Sequence, residues 1–251
     1  MSDVKLGIGL ASGMFFHAPA GTVLPTYPTD CIGDNGDGTT TDKFDATAGQ
    51  TTFSLSEAPE SIKSMTVNGT AVAKTNYTVS GSTLTYSGTS LSANDKVVID
   101  YYVSKWRRVG DVAKDGITTN MDKTVENIYT WANAIKRTIL TEHVETVKVP
   151  IIDTTEDTLK VTLGSDNVTV TPASGSHGKT IACNLSPDSL PAAEAFLFVM
   201  KDGDDVMAVG IESGQITAVD SVTFAPESAI TWNPTITVLN NSLRFISEEG
   251  E

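Results

Sequence analysis

The sequence predicts a mainly β protein with one flanking α-helix, and three observations support this fold class. Thr, Ser, Val and Gly are abundant, and this composition favours strands and turns over long helices. Short runs of alternating apolar and polar residues recur along most of the chain, separated by turn residues. Only one stretch has the three- and four-residue apolar spacing of a helix. A chain of 251 residues can bury a core as one large domain or as two smaller ones.

Residues 1–40 begin the chain with an irregular segment. Glycine and proline interrupt it repeatedly, yet it carries large apolar residues that an exposed loop does not normally hold. We therefore predict that residues 1–30 form an extended arm that docks on the body or on a neighbouring subunit. The residues expected to make contacts between subunits or rings are Phe15, Phe16, Leu24 and Tyr27. The acidic stretch 33–38 lacks the ligand spacing of a calcium loop and indicates a flexible joint.

Residues 41–104 predict a small all-β module. The alternating runs are 51–55, 64–67, 77–80, 83–86 and 96–103. Asn68-Gly69, between two such runs, is a strong hairpin signal. A module of about 60 residues is near the lower limit for independent folding. Four tyrosines of this module could stack on sugars, but their alternation within strands favours a core or sheet-face position. They are Tyr77, Tyr86, Tyr101 and Tyr102.

Helical spacing occurs between residues 122 and 140. Apolar residues recur there at three- and four-residue steps, and Lys136 and Arg137 near the end suit the negative end of a helix dipole. This predicts an amphipathic helix packed on the core. Its predicted buried face comprises Val125, Ile128, Trp131, Ile135 and Ile139. Trp131 could instead stack on a ligand, although an apolar stripe at this spacing is typical of a buried helix face.

From residue 142 onward the alternating runs resume, separated by loops rich in Gly, Asp and Pro, as in a β-sandwich. The net charge of −14 argues against a protein that reads nucleic acid, because phosphate affinity comes from Lys and Arg. The charge is uneven: residues 105–150 hold eight bases and six acids, whereas residues 184–251 hold two bases and eleven acids. Such polarity suits head-to-tail association, and scattered solvated charge is the alternative interpretation.

Residues with catalytic or ligand-binding chemistry are isolated in this sequence. His17, His143 and His177 have no other His or Cys at metal-ligand spacing, and no nucleophile, phosphate-loop or dinucleotide-binding motif is present. We therefore predict a protein that is not an enzyme and has no metal and no cofactor. Cys31 and Cys183 are far apart, which predicts two reduced thiols.

No apolar run approaches the roughly 18 residues of a membrane span, so no membrane partner is expected. The first residues lack the pattern of a secretory signal, so export through a secretion pathway is not expected and synthesis in the cytoplasm is.

Several motifs, in order along the chain, resemble the major tail tube protein of long-tailed, non-contractile bacteriophages. They lie at 13–25, 106–117, Trp131 followed by 137–141, 159–164 with 167–170, and 202–205 with 214–216. The resemblance covers roughly residues 6–30 and 105–246. The segment 41–104 departs from the usual pattern and resembles a small β module of phage tail and fibre proteins, marked by 48–53 and 67–69.

The resemblance implies a structural virion protein with a tail-tube-type β-sandwich or half-open barrel and one flanking helix. The tube domain would be discontinuous, formed by 1–40 and 105–251, with 41–104 as an inserted small β domain. Six copies would form a ring, and stacked rings would form the tail tube. The expected partners are other copies of the chain, other tail proteins, and DNA and a tape-measure protein that pass through the lumen without specific binding.

Two further expectations concern the surface. Acids of the late hairpins are expected to face the lumen or an interface; these are Asp202, Asp204, Asp205 and Glu212. The alternative function is that of a tail-tip or fibre-type adhesin, which would bind cell-surface glycans through the inserted module.

Overall fold

The computed structural model describes residues 12–185, 188–224 and 229–249. The chain forms two compact units: Met1–Leu24 together with Arg108–Glu251, and Pro25–Arg107. The predicted mainly β fold class is confirmed. In chain order the strands and helices are β1 Ser12–Pro19, α1 Thr29–Ile32, β2 Thr39–Asp45, β3 Thr52–Ser54, β4 Ser61–Val67, β5 Thr70–Ala71, β6 Tyr77–Ser80, β7 Thr83–Tyr86, β8 Lys96–Tyr102, β9 Arg107–Asp111, β10 Thr118–Tyr129, β11 Ile135–Lys148, α2 Glu156–Leu163, β12 Val168–Thr171, β13 Thr180–Cys183, β14 Glu194–Asp202, β15 Asp205–Val219, β16 Pro234–Val238 and β17 Leu243–Glu248.

The first unit is built on one large sheet with the strand order β10-β11-β16-β15-β14-β1-β9. The 15-residue β15 is long enough to pair with β17 along its first half and with β16 along its second half. A two-stranded sheet, β12-β13, completes the unit's strand pairs. The core cluster includes Phe15, Val147, Val149, Ile151, Leu159, Phe196, Phe198, Ile211, Trp232 and Ile236.

Phe15 and Phe16 lie in β1, between β14 and the edge strand β9, and both side chains are fully buried. Phe15 stacks on Phe198 with 4.7 Å between the ring centroids. The prediction that these two residues contact another subunit is therefore wrong, because both are enclosed by their own chain. Successive strand residues point to opposite faces, so both faces of β1 are covered.

The two other residues predicted for the arm, Leu24 and Tyr27, differ in their packing and in the unit to which they belong. Leu24 packs on the chain's own β15: its Cδ2 lies 2.5 Å from the position a Cβ would take on Gly210, so only glycine leaves room for it. Tyr27 is more than half exposed and belongs to the second unit. Residues 1–11 of the predicted arm lie outside the described residues.

The flanking helix is α2, in a different place from the predicted helix. Thr155 caps its first turn by accepting a hydrogen bond from the Thr158 amide, and Leu159, Val161 and Leu163 pack on the core. The helix ends where Gly164 adopts a φ of 91°, a conformation that glycine reaches without strain.

The predicted helix over residues 122–140 is wrong, because this segment forms most of the β10–β11 hairpin. Met121, Val125 and Tyr129 are four residues apart, a spacing that puts side chains on one face of a helix and also on one face of a strand. Composition decides between the two: the segment is rich in Thr, Val and Ile, whose branched side chains favour strands.

The second unit contains two sheets, β2-β8-β4-β5 and β3-β7-β6. The predicted hairpin at Asn68-Gly69 is confirmed: β4 and β5 pair on either side of it, and both turn residues have positive φ. Tyr86 and Tyr101 are buried, and the Tyr101 hydroxyl bonds the side chains of Asp42 and Ser56. The core interpretation of these two tyrosines is confirmed.

Candidate assembly surface

The β10–β11 hairpin extends beyond the sheet to which it belongs. Only Thr146, Val147 and Lys148 of β11 pair with β16, so the residues from Ile135 to Glu145 pair with β10 alone. These eleven residues span about 35 Å at ~3.3 Å per residue. Nearly all side chains of the two strands are exposed or half-buried.

A rigid tip closes the hairpin. The Thr130 carbonyl accepts a hydrogen bond from the Asn133 amide at 3.0 Å, and the Ala134 carbonyl accepts one from the Thr130 amide at 2.8 Å. Asn133 has a φ of 58°, which asparagine tolerates better than most residues. The Thr130 hydroxyl also accepts a hydrogen bond from the Ala134 amide. Residues 131 and 132 are thereby held at the apex.

One face of the hairpin carries five large apolar side chains, and Lys123, Asn127, Thr138, His143 and Glu145 lie between them on the same face. Val125 pairs with Leu140 and Tyr129 with Ile135, and the alternation of side chains puts Met121 on the same face. Two β-bulges shift the register of β11 and bring Leu140 and Ile135 onto this face. The apolar hairpin face thus comprises Met121, Val125, Tyr129, Ile135 and Leu140, each 52–59% exposed.

The apolar hairpin face continues the core-facing side of the sheet. Val147, on the same side of β11, is fully buried in the core cluster. Glu145 and His143 lie between Val147 and Leu140 on this side of β11, so polar residues separate the core from the exposed apolar side chains. Eight of the sixteen exposed large hydrophobic residues among the described ones lie on the hairpin. Apolar surface concentrated in this way is typical of a protein–protein contact.

The residues predicted as a buried helix face occupy several positions on the hairpin, and that prediction is wrong for each. Val125 and Ile135 lie on the apolar hairpin face, whereas Ile128 and Ile139 lie opposite it, paired with Arg137 and Glu126. Trp131 lies at the tip and is 104% exposed. The helical periodicity therefore grouped residues that the hairpin distributes over both faces and the tip.

Strand β10 is also an edge of the large sheet. Its outer backbone groups have no strand partner among the described residues, and such an edge can pair with a strand of another chain. Asp122, Lys123 and Glu126 lie along it, and charges of this kind limit unspecific edge pairing. Backbone edge and apolar face together make the hairpin a surface that suits a defined partner.

The four predicted acids do not form one cluster. Asp202 and Asp205 close the β14–β15 hairpin as a cross-strand pair, with Gly203 and Asp204 at the turn. Glu212 lies seven residues farther along β15, about 23 Å at ~3.3 Å per residue, and its carbonyl accepts a hydrogen bond from the Gly21 amide.

Chemistry-bearing groups are dispersed over the described residues. No group of three or more His, Cys, Asp or Glu residues among them could hold a metal ion. His17 bonds Glu194 at 2.8 Å, and His143 lies 3.3 Å from Glu145. Burial raises the pKa of the Cys31 thiol to about 12, which keeps it protonated. None of the helices in the described ranges has the length and apolar character needed to cross a bilayer.

The described residues thus present an extended edge hairpin on a β body. A family described as phage tail tube protein matches residues 87–243, which is 157 of the 251 residues. The chain belongs to the phage tail tube protein family, and the resemblance found in the sequence is confirmed. It is a structural component of the phage tail and therefore of the virion. No curated protein matches the chain.

The matched residues include the whole β10–β11 hairpin and all of α2. Sequence reasoning found the tail tube family and missed the hairpin. One signal could have found it: Asn133 stands in the middle of the segment, between two runs rich in β-branched residues, where a turn fits better than a helix interior.

Proposed function

We propose that this chain polymerises into stacked rings of six copies, which form the tube of a long, non-contractile phage tail, and that the β10–β11 hairpin makes the contact between copies. The observation that carries the proposal is the apolar hairpin face, since five large side chains on a protruding ribbon lack cover in the single chain. The number of six rests on the resemblance to major tail tube proteins. The role is structural and involves no catalysis.

The energetics favour a closed or repeating assembly over a simple dimer. Full burial of a large apolar side chain contributes about 1.5–3 kcal/mol, so the exposed halves of five side chains contribute ~5 kcal/mol. Association costs about 4–15 kcal/mol in lost freedom of motion. One hairpin contact therefore holds two copies weakly. In rings and tubes every copy is held on at least two sides, so each copy is bound firmly.

We further propose that the first unit is the tube domain and the second unit an inserted module. Acids of the first unit, such as Asp202, Asp204 and Glu212, would face the lumen and repel the phosphates of DNA, so that DNA and a tape-measure protein pass without specific binding. The adhesin alternative has lost much of its support, because Tyr86 and Tyr101 are buried and cannot stack on a sugar.

Electron microscopy and native mass spectrometry of the purified protein test the assembly. Six copies of a 26.5 kDa chain are expected in the smallest closed particle, with tubes at higher concentration. The double variant Val125→Asn/Leu140→Asn should remain monomeric, because it makes the centre of the apolar hairpin face polar. The matched control changes the neighbouring pair on the opposite face, Thr124→Asn/Glu142→Gln, and should still form tubes.

Two results would contradict the proposal. One is a wild-type protein that stays monomeric at high concentration. The other is a Val125→Asn/Leu140→Asn variant that forms rings and tubes as readily as its control.

A further inference from the structure

Trp131 at the hairpin tip has the properties of an interface anchor. Its side chain is entirely exposed. Burying it in a partner would remove about 150–250 Å² from water. The hydrogen bonds around Thr130 hold the backbone of the turn that carries it, so binding orders mainly the side chain. Tryptophan is also one of the residue types enriched among binding hot spots.

A groove of suitable chemistry lies on the body of the first unit, beside the end of α2. It has a volume of about 290 Å³. Leu163 and Ile216 are buried residues of its wall, and Leu190 on its rim is more than half exposed. We call this site the α2 groove. It is lined by Thr162, Leu163, Leu190, Pro191, Ile216 and Val219, among others.

The wall of the α2 groove includes a threonine whose buried hydroxyl is unpartnered. Thr162 is 1% exposed, and its Oγ1 has no hydrogen-bond partner. Leaving a buried hydroxyl unpaired is costly, and most such groups in proteins are satisfied. The indole N–H of tryptophan is a donor with no acceptor function, and the hydroxyl oxygen can accept from it. Threonine in a helix has two accessible χ1 rotamers, so Oγ1 can turn toward a ligand in the groove.

Charge favours the same pairing. The tip segment 127–138 carries Lys136 and Arg137 and no acid. The α2 groove has Asp188 on its wall, and Asp220 follows Val219 directly. A second cavity of this unit, of about 330 Å³, has Lys114 on its wall and would repel the basic tip. Lys148, which lies 3.4 Å from Asp220, offsets part of the negative charge, so Asp188 is the main partner for the tip.

The structure assigns the α2 groove as the binding site for the Trp131 tip of a second copy of this chain. The occupant is another copy because the indole is wholly exposed and so does not enter the groove of its own chain. Tip and groove are different surfaces, so the contact is head-to-tail and repeats from copy to copy. This inference deepens the proposed function and rests on the hairpin as the contact between copies.

Cross-linking tests the position of the contact without removing the indole. In a Cys183→Ser background, Ala132→Cys protein is mixed with Leu190→Cys protein under mild oxidation; Cys31 is buried and does not interfere. We expect disulfide-linked dimers that contain one copy of each variant. The matched control replaces Leu190→Cys with Val23→Cys, an exposed residue outside the groove lining, and should give no such dimer.

A double-mutant cycle tests the hydrogen bond. Trp131→Phe and Thr162→Val should each raise the critical concentration for assembly, by about fivefold or more, and the double variant should be no worse than the poorer single one. Trp131→Ala should raise it by at least about tenfold without changing the midpoint of chemical unfolding.

The outcomes distinguish failure of the proposed function from failure of the groove assignment. Failure of the wild-type protein to assemble overturns the proposed function. Normal tubes, combined with no Leu190→Cys cross-link or with fully additive effects of Trp131→Phe and Thr162→Val, overturn the groove assignment alone and leave the hairpin contact standing.

Discussion

Replacing Phe15 with alanine distinguishes a core residue from an assembly residue. Phe15 was expected on an arm that contacts other subunits, whereas the structure encloses it in the core of the first unit. The substitution should therefore lower the free energy of unfolding of the single chain, whether or not that chain assembles.

The magnitude follows from the surroundings of the ring. Phe→Ala in a core costs about 3–5 kcal/mol, and the stacked contact with Phe198 adds about 0.5–1.5 kcal/mol. The strand is held on both sides by neighbours in the sheet, so the cavity cannot collapse easily. We expect a loss of ~4 kcal/mol, a large part of the 5–15 kcal/mol that typically stabilises a domain.

Guanidinium unfolding at low protein concentration is the appropriate assay. With an m-value of ~4 kcal/mol/M, a loss of ~4 kcal/mol moves the midpoint down by ~1 M. Trp232 lies in the same core and reports on this unit. Phe245→Ala is the control, because Phe245 is 64% exposed and its loss should cost less than about 0.5 kcal/mol. An unchanged midpoint for Phe15→Ala together with lost tube formation would refute the core assignment and restore the arm contact.

Two further predictions concern titrating groups of the described chain. Hydrogen bonds from Lys160 and then Lys179 lower the pKa of Glu156 to about 2, so its stabilising effect is complete above the ordinary value of 4.5 and disappears as the pH falls toward 2. Glu156→Gln should thus be less stable than wild type at pH 7, with the difference in unfolding midpoint shrinking between pH 4.5 and pH 2; a constant difference would contradict this. Cys183 is partly exposed and Cys31 is buried with its pKa raised to about 12, so a thiol reagent at pH 8 should label Cys183 far faster, and equal rates would contradict the burial of Cys31.

Much of the fold could be predicted from local chemistry. Asn68-Gly69 forms its hairpin as predicted, because this dipeptide adopts the positive φ angles that a two-residue turn needs. The alternating run 96–103 is strand β8, with Val97, Ile99 and Tyr101 on the buried side. In such strands one face is exposed to solvent and the other is buried, so apolar and polar residues alternate in the sequence.

Two elements could not be predicted in this way. In β1 both faces are buried, so Phe15 and Phe16 follow each other without alternation, and the glycines and prolines on either side resemble a loop. In the β10–β11 hairpin, four-residue spacing and two bulges imitate a helical stripe. Both errors have the same source: sequence periodicity reports which side chains are apolar, and it does not report what covers them.

The pairing of β1 with β14 also has a consequence for the order of folding on the ribosome. Phe15 and its partner Phe198 are separated by 183 positions, so at 5–20 residues per second β1 waits for roughly 10–40 s before its neighbour exists. All strands of the second unit have emerged by then, and so has the β10–β11 hairpin, whose local pairing forms within microseconds. The nascent chain therefore completes its second unit while Met14, Phe15 and Phe16 still await β14. The first strand to be made is among the last to be covered.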